Sequence, residues 1–523
     1  MTTHLKLGTR RSLLAMAQSK LVARELEQQN PDLTIELVGI ETRGDRTLDV
    51  PLSSMEGKDF FVAELDRALL NGEIDFSVHS MKDLSLERPD SIALAAVPTR
   101  ANPRDIVLFS PGIVDKLKAG HEIRLGTCSP RRMENVPPFL ARALPQLGMT
   151  PNIICREIRG NVHTRIGRLH ADDDDPQKVD AVVLAFAGLI RLWQDADGQQ
   201  ALSSLLTGLR WMVLPLKECP AAPAQGALAV ECRSSDKTTL DLLKSLHHEQ
   251  TSLAVGKERE VLADWGGGCH QSLGATAEAH AVFGGLMYLR GRTPEGTLIA
   301  ATRWGDDQST LPGPHWDGSH WREASFSARY YEDLAPPGWI DDGGALLIAH
   351  SRALPTSWVD TLRKSPQRVW TSGVRSWYRL AAKGIWVEGC AEELGFEGLG
   401  ATVNQPVLQL PNLRRWKVLT HADGADSWPG QTVVATYVVE PATGLDESHP
   451  AVRALQSAKS AFWSSGSQYE LFRQWIPAEC WHASRFGKTY NYLQEQIAKR
   501  KGHRLTAFPS ASDWRSRTRN SYD

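Results

Sequence analysis

The 523 residues are too many for one ordinary domain, and 41% hydrophobic against 23% charged residues excludes a disordered chain. Lys and Arg number 59 against 61 Asp and Glu, a net charge of −2, which excludes nucleic-acid binding by bulk charge while leaving local basic clusters open. The longest apolar run, Ala181 to Ile190, is too short to span a bilayer, charges break the opening MTTHLKLGTRR, and seven cysteines occur without a CxxC pair, so a cytoplasmic, reducing setting is expected.

Leu14, Ala17, Leu21 and Val22 share one side of a helix that should stop near Asn30–Pro31. Thr34–Ile40 alternates as a β-branched strand. A helix is predicted over Phe61–Leu70, closed by Asn71–Gly72, with a strand at Phe76–Val78. Further strands are expected at Ile123–Leu125, Ile153–Ile158 and Ala181–Ala185, each followed by a helical stretch. Such alternation predicts parallel α/β sheets. Beyond residue 300 the composition shifts: 14 of the 17 tryptophans lie there, after a Gly- and Pro-rich join from about Gly305 to Gly344.

Polar motifs follow the predicted strands: Thr42–Asp45 (TRGD), His79–Asp83 (HSMKD), Gly126–Arg132 (GTCSPRR) and Arg159–Arg165 (RGNVHTR). In open parallel sheets the ligand crevice lies outside the carboxyl ends of the strands, so these motifs should meet in one cleft. Their cations, with others nearby, are Arg10, Arg11, Lys58, Lys82, Arg131, Arg132, Arg159, Arg165 and Arg191. Any one alone reads first as a solvated surface residue; as a set they suit a polyanion, because the guanidinium fork binds carboxylate or phosphate bidentately. Ser12, opening a helix, and Ser129 could add hydroxyl and helix-terminal N–H donors. Asp83 is the acid that stands out: in a cationic cleft a carboxylate stabilises a developing positive charge or handles a proton. By itself it reads as a salt-bridged loop residue. Cys269 closes Gly266–Gly267–Gly268, a loop able to carry a thiol into tight quarters as nucleophile or attachment point, or simply a turn with a buried thiol. No Lys–Ser/Thr pair follows, so it is not a phosphate loop. Asp172–Asp175 lacks calcium-loop spacing and reads as a solvated acidic loop. His247–His248–Glu249 lacks HExxH spacing, and Cys128 has no evident base beside it; no metal site is expected.

Ten ordered blocks carry a resemblance: TRRSLLA (Thr9–Ala15), TRGD, GKDFFVAEL (Gly57–Leu65), VHSMKD (Val78–Asp83), PRD (Pro103–Asp105), GTCSPRR, RGNVHTR, LAFAGLIRL (Leu184–Leu192), QGALAVECR (Gln225–Arg233) and GGGC. Over about Leu5–Trp304 the chain resembles the hydroxymethylbilane synthases, or porphobilinogen deaminases. The resemblance implies two α/β domains like those of periplasmic binding proteins, residues 1–103 with 227–244 and residues 104–226, plus a small α+β cofactor domain over 245–310. It implies condensation of four porphobilinogen molecules into the linear tetrapyrrole hydroxymethylbilane with release of ammonia. It also implies a dipyrromethane cofactor held by a thioether to Cys269, and Asp83 as catalytic aspartate. Lys58, Lys82, Ser129, Arg131, Arg132, Arg159 and Arg165 would bind cofactor; Arg10, Ser12, Arg191 and Gln225 would face substrate. The implied partner is the small molecule porphobilinogen, with neither nucleic acid nor membrane; the sequence does not reveal the oligomeric state, for which a monomer is the expectation. Ser85, Cys128, Ala224, His270, Gln271 and Ser272 depart from the family's usual residues.

After a linker over 311–342, residues 343–523 resemble a second family, the uroporphyrinogen-III synthases, giving an α/β C-terminal extension. The matching segments are ALLIAHSR (Ala345–Arg352), VWTSGVRSW (Val369–Trp377), ATYVVEP (Ala435–Pro441), AFWSSGSQYELF (Ala461–Phe472) and RFGKTYNYL (Arg485–Leu493). That family closes the bilane while inverting its last ring, between two small α/β domains. Here about twenty residues separate Arg352 from Ser372, so the first half-domain is expected to be shortened. The competing expectation is an α/β cleft that only binds a carboxylate-rich ligand, with a structural appendage.

Overall fold

The computed structural model describes residues 3–42, 62–266, 272–280, 282–293, 295–305, 310–322, 326–331, 334–395, 397–428, 430–441 and 445–518. Lys58, Cys269, His270, Gln271, the Arg43–Asp45 part of TRGD and the Gly57–Phe61 part of GKDFFVAEL lie outside them.

The chain opens with β1 (Thr3–Arg10), α1 (Leu13–Gln29) and β2 (Leu33–Ile40), the strands parallel in register Leu7 to Leu37. Helix α1 ends at Asn30, before Pro31 as expected. Its buried face is Ala17, Gln18, Ser19, Val22, Ala23 and Leu26, whereas Leu14 and Leu21 are half-buried. A hydropathy stripe misplaces that face because it counts Gln18 as solvent-facing; here its amide donates to Ser80 Oγ at 3.0 Å, which removes the penalty of burial. After α2 (Ala63–Leu70) come β3 (Phe76–Ser80) and β4 (Ile92–Ala96).

The chain then crosses to a second sheet. It runs through β5 (Asp105–Phe109), α3 (Ile113–Lys118), β6 (Ile123–Gly126), α4 (Pro130–Ala143), β7 (Ile153–Arg156) and α5 (Val162–Gly167). It continues through β8 (Ala181–Ala185), α6 (Phe186–Gln194), α7 (Ala196–Ser203) and β9 (Arg210–Val213), and returns to the first sheet as β10 (Leu228–Arg233). Strand β7 stops two residues short of expectation, because Ile158 turns off to pack over Gly126. The two sheets share a plan: β2-β1-β3-β10-β4 and β7-β6-β8-β5-β9. Four strands point one way in each, and the fifth, β10 or β5, lies antiparallel between its two neighbours. The inner strands β5 and β8 are buried almost throughout, which explains why, Asp105 apart, their residues are apolar. Next come α8 (Lys237–Leu243), α9 (Glu249–Asp264) and a three-stranded sheet of β11 (Gly274–His280), β12 (Gly284–Arg292) and β13 (Leu298–Trp304).

The remaining strands are β14 (His315–Asp317), β15 (Phe326–Tyr330), β16 (Ala345–Ile348), β17 (Arg368–Thr371) and β18 (Gly389–Cys390). They are followed by β19 (Lys417–His421), β20 (Thr432–Pro441), β21 (Ser460–Trp463), β22 (Trp481–Arg485) and β23 (Arg504–Phe508). One sheet, β15-β20-β19-β16-β17-β18, is parallel apart from β15; the other, β14-β21-β22-β23, is wholly parallel. Residues 311–342, read from the sequence as a linker, supply β14 and β15 to these sheets. The prolines flank the strands rather than interrupt them, and Trp316 anchors β14 with 1% exposure.

Two compact units divide the chain. The first runs to Ala279 and includes Met287–Ala301 and Gln405–Gln409; the second holds His280–Leu286, Thr302–Asn404 and the chain from Leu410. The six cysteines among the described residues are free, and no helix among those residues is long and apolar enough to cross a membrane.

Candidate active site

In the first unit the singled-out motifs stand at the strand ends where a parallel sheet opens. Arg10 ends β1, and β3 runs into a single 3-10 turn, Met81–Asp83. Because β10 pairs antiparallel with β3, matching Leu228 to Ser80, the residues just before β10 reach the same edge. In the second sheet Ser129, Arg131 and Arg132 follow β6, Arg159 and Arg165 follow β7, and Arg191 lies on α6 after β8. Asp105 opposes Ala185, so the start of β5 meets the end of β8.

A chain of contacts links several of these residues. Lys82 Nζ lies 3.5 Å from Gln225 Oε1. Gln225 Nε2 donates to Pro103 O at 2.8 Å and to Asp105 Oδ1 at 2.9 Å. Asp105, fully buried, pairs with Arg131 at 2.8 Å and Arg132 at 2.7 Å. Burial alone would push the Asp105 carboxyl up; the guanidiniums of Arg131 and Arg132 outweigh this and hold it far below the usual carboxylate range. Arg132 also donates to Val183 O at 3.1 Å and Arg131 to Pro220 O at 2.8 Å. Both arginines are thus partly spent on the protein itself, which their number in the sequence does not reveal. Arg131 uses only Nη1 for these bonds, so Nε and Nη2 remain among the described residues.

The other cations are less committed. Burial pushes the Lys82 ammonium down, with Arg132 and Arg131 adding to the effect while Asp83 and Asp105 oppose it. Burial likewise lowers Arg165, which donates Nε to Gly160 O at 2.8 Å and has Arg132, Arg168 and Arg159 around it. Arg191 donates to Gly226 O at 2.6 Å, yet its Nε is buried without a partner among the described residues, and burial lowers its pKa to about 10. Arg168, which the sequence motifs did not single out, likewise has its Nε buried with no partner among the described residues. Desolvated, under-paired cations that follow strands of both sheets of this unit fit a group bearing several carboxylates, as the implied dipyrromethane does. Asp83 is exposed, and its carboxylate has no hydrogen-bond partner among the described residues. Ser12 caps α1, its hydroxyl accepting from Ala15 N–H at 3.3 Å. The Ser129 side chain makes no cap bond, although its N–H donates to Thr127 Oγ1 at 3.2 Å.

Sequence reasoning missed the supports. Asp105 was visible only as the end of PRD. Arg100 forks onto Glu258 at 2.7 and 2.9 Å, and Glu258 accepts from Ala224 N–H and Ala277 N–H at 2.6 Å each. Ala224, one of the departures from the family's usual residues, sits at φ +60, a left-handed conformation that glycine adopts more easily. The remaining polar clusters have structural work. Ligand atoms of Asp66, His79 and Glu231 lie within 4.8 Å of one another, but Arg88 bridges Asp66 and Glu231 at 2.7 and 2.8 Å, so a guanidinium balances those acids. Burial, then Arg88 and Arg10, push His79 down to about 3. His248 caps α9, and His247 accepts from Val97 N–H at 3.3 Å.

A family profile described as "Porphobilinogen deaminase, dipyromethane cofactor binding domain" matches residues 5–241. The porphobilinogen deaminase of Listeria monocytogenes is 36% identical over 306 residues, covering 58% of this chain and 90% of that protein. That of Brevibacillus brevis is 38% identical over 273 residues, covering 52% of this chain and 79% of that protein. Among solved structures, the BenM effector binding domain with its effector benzoate matches 50% of this chain and 93% of that chain, at 16% identity and a TM-score of 0.26, too low to carry a parallel. With nine tenths of a deaminase matched at more than a third identity, the chain belongs to the porphobilinogen deaminase family.

Proposed function

We propose that the first unit is a hydroxymethylbilane synthase, a transferase that joins four porphobilinogen molecules head to tail and releases ammonia at each step. The observation that carries this reading is the run of contacts from Lys82, next to the exposed Asp83, through Gln225 to Asp105 and its two arginines, with Arg165 and Arg191 desolvated in the same unit. Lys82, Arg131, Arg159 and Arg165 would neutralise acetate and propionate groups that accumulate as the product lengthens; Lys58 belongs to the same proposal. Ser129 would join them in holding the cofactor, while Arg10, Arg191, Gln225 and Ser12 would orient the incoming unit. Asp83 would sit against the pyrrole N–H and stabilise the positive charge that develops as ammonia departs, a contribution that grows where water is excluded. The dipyrromethane, joined by thioether to Cys269, supplies the root from which the product grows. A monomer acting in the cytoplasm completes the proposal.

Purified protein should weigh one dipyrromethane more than its amino acids and colour Ehrlich's reagent. Cys269→Ser should abolish the added mass and the activity; a variant keeping both overturns the thioether. Asp83→Asn should retain the added mass and lose turnover by about 100-fold or more, the size of a removed charge-stabilising group. Near-normal turnover contradicts its role.

A second reading concerns the second unit, which we propose acts as a uroporphyrinogen-III synthase on the bilane. It is favoured by two parallel α/β sheets and by Arg322, whose ionisation is lowered by burial, opposed by Tyr437, and lowered further by Arg352 and Arg485. A cavity of about 650 Å³ in this unit also presents Arg352, Arg379 and Lys383. Porphobilinogen supplied to the purified chain should then give the type III ring; only the type I isomer refutes this reading.

A further inference from the structure

The carboxylate of Asp83 makes no hydrogen bond among the described residues, so its position depends on the backbone of its turn. One side chain grips that backbone. Arg259, on α9, donates Nη1 to Met81 O at 3.4 Å and Leu84 O at 3.2 Å, and Nη2 to Ser85 O at 2.6 Å. The three carbonyls bracket Lys82 and Asp83, and a planar guanidinium is the side chain that can hold them together. The next residue along the same helix, Glu258, is fully buried and binds Arg100, Ala224 and Ala277. Helix α9 ends at Asp264, five residues before Cys269 in the sequence. Five residues past the turn, the chain is tied separately by Arg88 on Asp66 and Glu231.

We infer that Arg259 is a positioning residue for the reaction: it holds the Lys82–Asp83 turn in register with the helix that leads to Cys269. Its role rests on the proposed function of Asp83. Departure of ammonia needs the carboxylate at one place relative to a root that stays put, and a displacement near 1 Å at such a centre costs turnover on the order of 100-fold. Burial lowers the Arg259 guanidinium, with Glu231 opposing and Arg88 adding to the effect, so the charge is kept desolvated against carbonyl oxygens. A fold needing only a filled space there has no use for a desolvated charge.

The test uses the full chain carrying its cofactor. Arg259→Gln should keep the added dipyrromethane mass, lower kcat for ammonia release by about 10- to 100-fold, and change KM for porphobilinogen less than about threefold. Arg259→Lys, with charge retained but no fork, should recover only part of the loss. In an Asp83→Asn background, Arg259→Gln should cost little more, because both act on one step. Wild-type kcat in Arg259→Gln, or loss of cofactor mass with any residual kcat unchanged per loaded molecule, overturns the inference. If the Gln variant does not fold, the Lys variant decides: unchanged kcat there overturns it. Normal turnover in Asp83→Asn overturns the proposed function instead.

Discussion

Asp105 shows how a single buried acid sets the charge state of its surroundings. Two guanidiniums and the Gln225 amide converge on it, so its removal strands two buried cations. Asp105→Asn should cost about 3–5 kcal/mol in urea unfolding, the usual penalty for breaking a buried pair. The pH dependence has a definite sign. Folded, the carboxyl is held below its ordinary value, so the unfolded chain binds more protons and acid favours unfolding. That stability is present above about pH 4, where an unfolded aspartate is ionised, and drains as pH falls further toward the folded value. Acid unfolding of the Asn variant should lack this component. The sequence offered Arg131 and Arg132 as ligand groups but could not show that half their bonding serves Asp105, because partners 27 residues apart follow no local pattern.

At the scale of elements, the sequence pattern pointed to five strands, β2, β3, β6, β7 and β8; β3 and β8 are buried nearly throughout and their composition alone marks them, whereas β5, just as buried, passed unnoticed beside the PRD motif. It failed where a polar side chain goes inside with a partner, as Gln18 does in α1. It also failed for β14 and β15, which proline-rich flanks disguise. The segments between the sheets were legible only as motifs. Gly226 there adopts φ +88, and a Cβ would stand 2.5 Å from Ala101 O. Gly226→Ala should therefore destabilise by about 2 kcal/mol or more, since backbone strain and a main-chain clash combine. The urea midpoint measures this, and a value unchanged from the parent contradicts the close approach.

For the molecule as a whole, the tryptophan shift in the sequence coincides with the division into two compact units. Tryptophan emission therefore reports mainly the second unit, and ammonia release tests the reading of the first. Trp316 is 1% exposed, with its ring 4.8 Å from Trp463 and its Nε1 donating to Ala451 O at 3.0 Å. Trp316→Ala should lower the emission-monitored stability by about 3–5 kcal/mol. Ammonia release at 25 °C should stay near the parent rate; a matching loss of both signals would show one cooperative transition instead.

In the first unit the polypeptide passes between its two five-stranded sheets twice, and the passages are stitched together. Ala101 N–H donates to Gly226 O at 3.1 Å, and Arg100 Nε donates to Gln225 O at 2.9 Å. Two strings tied side by side share a load that either alone would carry less firmly, because each bond holds the neighbouring passage in register. Neither crossing can slide along the other without breaking these bonds, so the segment that carries Gln225 toward Asp105 is fixed to the one that carries Pro103.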